Sequence, residues 1–90
     1  LSFFAIDTNS VIIETIKLAE DGDGIIVRLY ESYGVEISAM LSWVCNYHYV
    51  QYVDLQENKL DDSFYCNHYC NQYCNLEFKP FEIITLRLTQ

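Results

Sequence analysis

Along much of the chain, apolar and polar residues alternate with a period of two, the pattern of strands that bury one face. The clearest case runs through residues 35–43, where Val35, Ile37, Ala39, Leu41 and Trp43 interleave with Glu36, Ser38, Met40 and Ser42. Ahead of it, VIIETIKL (11–18) and IIVRLY (25–30) flank Asp21-Gly22-Asp23-Gly24. Asp-Gly between two β-rich runs predicts a hairpin, so these runs are expected to pair antiparallel. A second turn is expected at Ser32-Tyr33-Gly34. Residues 2–6 and 49–55 read as further strands, the polar stretch 56–63 as a loop, and residues 81–88 as a closing strand. Pro80 lacks an N–H, which suits the start of an edge strand.

Residues 11–20 also admit a helix, with Ser10 as cap, Glu14 in the first turn and Ile12, Ile13, Ile16 and Ala19 on one face. Four β-branched residues within 11–15 and the matching β run beyond the turn favour the strand. About seven strands joined by short turns predict an all-β fold: an immunoglobulin-like antiparallel β-sandwich, one domain over residues 1–90.

Charge and size narrow the functional classes. Thirteen acidic against five basic residues give a net charge of -8, which repels phosphate backbones and anionic bilayers, so neither nucleic acid nor membrane is expected as a partner. A hydrophobic fraction of 51% separates the chain from disordered acidic tails. With no initiator Met, no basic-then-apolar leader and no apolar run near the ~20 residues of a membrane span, it reads as an excised portion of something longer. Ninety residues are too few for a barrel enzyme.

Hydrolysis by a pair of carboxylates needs the two placed across one bond, roughly 5 Å apart when one of them is the nucleophile. Glu14 and Glu31 attract notice because each sits in an apolar strand of the predicted hairpin, but solvent exposure or cross-strand pairing with Lys17 and Arg28 explains them without catalysis. Arg28 and Tyr30 share a strand face opposite Val27, Leu29 and Glu31. They are candidates for contact with a neighbouring domain, against a plain ion pair of Arg28 with Glu14 or Glu36. Trp43 shares parity with Ile37, Ala39 and Leu41 and is expected in the core, and His48 and His68 have no triad-like partners.

Cys66, Cys70 and Cys74 recur every four residues in a Tyr-Cys-Asn tetrad repeat, with Cys45, His48 and His68 not far away in sequence. On a strand this period places successive sulfurs about 13 Å apart, too far to converge on zinc at ~2.3 Å. Thiols are expected, with the three cysteines on one face beside Leu76 and Phe78 and with Tyr65, Tyr69 and Tyr73 opposite. The repeat permits a four-residue slip that keeps each side chain on its face, which predicts a hairpin with a mobile turn.

Five segments in order, Glu14-Thr15-Ile16-Lys17, AEDGDG at 19–24, Arg28-Leu29-Tyr30-Glu31, Asp54-Leu55 with Glu57-Asn58, and PFEIITLRL at 80–88, resemble the C-terminal β-sandwich domain of family 38 α-mannosidases. The resemblance implies a non-catalytic accessory domain of a retaining enzyme that hydrolyses α-mannosidic bonds. The carboxylate nucleophile and zinc of that enzyme belong to an N-terminal α/β-barrel domain. No catalytic, cofactor-binding or metal-binding residue is therefore assigned to this chain. Zinc is expected only in the parent catalytic domain, and the expected partners are the preceding domains of the same chain and the parent enzyme's carbohydrate substrate. The rival readings are a stand-alone carbohydrate- or protein-binding sandwich with exposed aromatics, and a small zinc-stabilised domain.

Overall fold

A computed structural model describes residues 3–44, 47–65 and 72–90, without the side chains of Phe3 and of residues 61–65. Eight strands form two antiparallel sheets: β1 (Phe3–Ile6), β2 (Val11–Leu18), β3 (Ile25–Glu31), β4 (Ile37–Val44), β5 (Tyr49–Val53), β6 (Lys59–Tyr65), β7 (Gln72–Phe78) and β8 (Ile83–Thr89). One sheet has the order β1-β4-β7 and the other β2-β3-β8-β5-β6. The all-β sandwich is thus as the alternation predicts, and residues 11–18 are strand. Their hairpin with β3 runs in register from Val11 against Glu31 to Leu18 against Ile25, with a bulge at Glu14 between Ile13 and Thr15.

Three expectations need correction. The polar stretch 56–63 is not all loop: from Lys59 it forms β6, the extra strand that raises the count from about seven to eight. β6 ends the larger sheet, and an edge strand needs one buried face at most, so a sequence as polar as KLDDS still pairs with β5. Pro80 does not open an edge strand. It lies in a turn closed by the Glu82 N–H donating to the Lys79 carbonyl at 3.0 Å, Phe81 has φ 60°, and β8 begins at Ile83 between β3 and β5. Finally, β6 and β7 lie in different sheets and form no hairpin. The turn expected to be mobile, with Cys66 and Cys70, lies outside the described residues.

Period-two alternation makes the core. Val27 and Leu29 of β3, Val50 of β5 and Leu86 and Leu88 of β8 face Ala39, Leu41 and Trp43 of β4 and Cys74, Leu76 and Phe78 of β7. Each fully buried aliphatic chain here contributes about 1.5–3 kcal/mol of transfer free energy. Trp43 stacks on Phe4 with centroids 6.4 Å apart, and its Nε1–H donates to the Tyr47 carbonyl at 2.9 Å. A buried indole thereby keeps a partner for its one polar atom.

Candidate functional site

The adjacent strands β3 and β8 carry a polar structure at each end. At one end, alternation turns Glu31 inward with Val27 and Leu29, and its side chain is fully buried. A buried carboxylate is tolerable only if its lone pairs are satisfied. Oε1 accepts N–H groups from Gly34 at 2.7 Å, Phe81 at 2.9 Å and Val35 at 3.0 Å, and Oε2 accepts from Tyr33 at 3.0 Å. Burial pushes the carboxyl pKa up, and the donors from Phe81, Tyr33, Val35 and Gly34 outweigh it, so the net shift is downward. The carboxylate joins the turn after β3 to the turn before β8, fifty positions away. Gly34 has φ +76° and lies under the Phe81 ring, where an added Cβ would stand 2.6 Å from Cζ. Only glycine accepts both conditions.

At the opposite end, Arg87 bonds Asp21 Oδ2 at 2.7 Å and the Asp23 carbonyl at 3.3 Å, tying the DGDG turn to β8. Its other terminal nitrogen reaches the Glu57 carbonyl at 3.4 Å and Oε1 at 3.8 Å. Glu57 also accepts the Glu20 N–H at 3.0 Å and pairs with Lys17 at 3.1 Å. Asp54 builds the turn that presents Glu57, with Oδ1 accepting from both Gln56 and Asn58 at 2.9 Å. Glu57 is held below its usual pKa by the Glu20 N–H first and the Lys17 and Arg87 charges after burial, and Asp21 by Arg87 and the Asp23 N–H.

The outer face of the larger sheet changes character between these ends. At the clamp end, Lys17, Ile26 and Arg87 pair across three strands, and Ile26 is buried with Ala19 and Val53. The middle row is Thr15, Arg28 and Thr85. The last row, Ile12, Tyr30 and Ile83, is apolar and open, with Ile12 and Ile83 49% and 47% exposed. A cleft of about 420 Å³ adjoins this row at Ile83 and is lined also by Tyr52, Leu60, Asn75, Glu77 and Glu82 among others.

The residues singled out from sequence go to different fates. Glu14 is exposed on the bulge while Glu31 is buried, so the solvent-facing or ion-paired expectation fails for Glu31. Lys17 pairs with Glu57, and with Glu20 at 3.9 Å, in place of the expected cross-strand pairing with a hairpin glutamate. The Arg28 Nε–H donates to Thr85 Oγ1 at 3.4 Å, in place of the expected ion pair with Glu14 or Glu36. Arg28 and Tyr30 do share the outer face, and Trp43 is core. The His48 N–H extends the β5–β8 pairing through the Thr89 carbonyl at 3.0 Å. Cys74, Leu76 and Phe78 are buried and Tyr73 is exposed, as the repeat predicts. Cys45, Cys66, His68, Tyr69 and Cys70 lie outside the described residues.

The two carboxylates that share the cleft are engaged locally. Ser38 Oγ lies 2.7 Å from both oxygens of Glu77, and Glu82 Oε1 accepts the Lys79 N–H at 2.8 Å. Among the described residues no three His, Cys, Asp or Glu side chains converge as a metal site, and no helix is long and apolar enough to cross a membrane.

Both polar ends are built from the segments that carry the resemblance: RLYE and PFEI meet at Glu31, while ETIK, AEDGDG, DLQEN and TLRL meet at Arg87. None of the curated proteins compared matches the chain. Residues 10–86 match the family described as "Glycosyl hydrolases family 38 C-terminal beta sandwich domain", a span that covers the Glu31 end, the partners of Arg87 up to one residue short of Arg87 itself, and most of the strands. The chain belongs to that family, and its place in an enzyme of this kind implies further domains in the same polypeptide.

Proposed function

We propose that this domain is the non-catalytic C-terminal part of a cytoplasmic α-mannosidase, and that it packs against the catalytic domains and supports them. The observation that carries this reading is the use made of the family segments: their charged residues Glu31, Arg87, Asp21, Glu57, Lys17 and Asp54 are committed to holding turns and strands together. A group that accepts several fixed N–H donors is poorly placed to exchange protons with substrate. On this reading the nucleophile and the zinc of the family's chemistry reside in a preceding domain, where terminal α-mannosidic bonds are hydrolysed.

The test is an assay of the purified chain on an aryl α-mannoside. No turnover is expected, and hydrolysis by a preparation free of other glycosidases would overturn the proposal. Removing these residues from the intact enzyme is expected to lower its thermal stability and its activity together. An unchanged melting temperature would count against a supporting role.

A further inference from the structure

The outer sheet face closes under the Arg87 clamp at one end and opens onto an apolar row at the other. Ile12, Tyr30 and Ile83 pair across β2, β3 and β8. Tyr33 lies two residues beyond β3 and Phe81 two residues before β8, and they are 65% and 59% exposed. The backbones of both are fixed by the single buried carboxylate of Glu31, and Phe81 is held at φ 60°. Phe81 follows Pro80 in the turn closed between Lys79 and Glu82, a position that takes a positive φ, so its backbone is fixed twice, by that turn and by Glu31. Large apolar side chains on a rigid backbone are what an interface anchor requires, because little order remains to be lost on association.

We propose that this end of the face, Ile12, Tyr30 and Ile83 with Tyr33 and Phe81, is where a preceding domain of the same enzyme chain docks. The proposal rests on the accessory-domain reading above. Charge narrows the occupant: Glu14 stands exposed on the bulge two positions from Ile12 and Glu36 just after the Tyr33 turn, against one exposed Lys79 in the Phe81 turn, and the domain carries -8 overall. The surface that the preceding domain brings to this face is therefore apolar at its centre and mainly basic at its margin.

Hydroxyl-radical footprinting of the intact enzyme tests this. Tyr33, Phe81, Ile12 and Ile83 are expected to label at least fivefold more slowly than their exposure in this domain implies, with Leu60 and Leu18 labelling freely. The double variant Ile12→Asp, Ile83→Asp, whose side chains are half exposed and outside the core, is expected to restore labelling of Tyr33 and Phe81. Protection of Leu60 and Tyr52 in the cleft, with Ile12, Tyr33 and Phe81 labelling freely, would overturn the choice of face while leaving the supporting role standing. Uniform labelling of all of these side chains would overturn both.

Discussion

The two ends of the β3–β8 pair solve the same problem with opposite chemistry. Each must hold a turn against a strand distant in sequence. At the Arg87 end the work is divided among side-chain charges, from Asp21 at 58% exposed to Glu57 at 7%, so the bond to Asp21 is shared with solvent and screened by salt while the contact to Glu57 is largely sheltered. At the Glu31 end one fully buried carboxylate faces main-chain donors from two turns. The difference is one of redundancy. A network loses a member and keeps the rest, whereas a single acceptor removed leaves four N–H groups without their partner at once.

Substitution at Glu31 is accordingly the hardest test of this contrast. Glu31→Ala is expected to lower the melting temperature by roughly 15 °C or more, and Glu31→Gln by about half as much, since the amide oxygen can keep the position that accepts three of the four bonds. Thermal unfolding followed by circular dichroism reads both; equal, small losses would show that the corner is dispensable. The acid response follows from sign. Because the folded Glu31 carboxyl sits below its ordinary value of about 4.5, its stabilisation is complete above that pH and is lost as pH falls through the folded value. The drop in melting temperature below pH 4.5 should therefore be shallower in Glu31→Gln than in the parent. Asp21 and Glu57 shift in the same direction, so it should not vanish.

Glycines at the two ends come next. Gly24→Ala places a Cβ 2.3 Å from the Leu88 carbonyl oxygen at φ +95°, and Gly34→Ala places one 2.6 Å from the Phe81 ring. Backbone cannot swing aside as a ring can, so Gly24→Ala is expected to destabilise by about 2–4 kcal/mol and Gly34→Ala by about 1–3 kcal/mol. Chemical denaturation ranks them, and the reverse order would mean that the Glu31 corner is the stiffer end. A smaller effect is expected from Arg87→Met, roughly 2–6 °C in melting temperature. The smallest is salt: 1 M NaCl should narrow the gap between parent and Arg87→Met and leave that of Glu31→Gln unaltered.

Alternation, Asp-Gly and glycine positions made most strands legible, because a half-buried strand writes its own period. β6 was not, since within Lys59–Tyr65 the apolar parity of Leu60 and Phe64 is interrupted by Asp62 and its first five residues are mostly polar. The central position of β8 was also hidden: Pro80 and Phe81 describe the turn before it and say nothing about which strands flank it. Parity did place Glu31 on the face of Val27 and Leu29, and that was the available signal for a buried carboxylate. Its donors come from residues 33–35 and from residue 81, and only the folded pairing brings those together. The clamp was invisible for a similar reason, as Lys17, Asp21, Glu57 and Arg87 read as ordinary surface residues until two turns converge on β2 and β8.

The placement of β8 governs how this domain comes into being. The last strand in sequence is the middle strand of its sheet, pairing with β3 on one side and β5 on the other. Before it is available, β2–β3 and β5–β6 are two unconnected hairpins with open edges facing one gap. A ribosome therefore delivers everything except the keystone first, and the sheet can close only when residues 83–89 have cleared the exit tunnel. A chain stopped short of that strand would present two sticky edges to any neighbour, which makes late truncation a route to aggregation more than to a smaller folded domain.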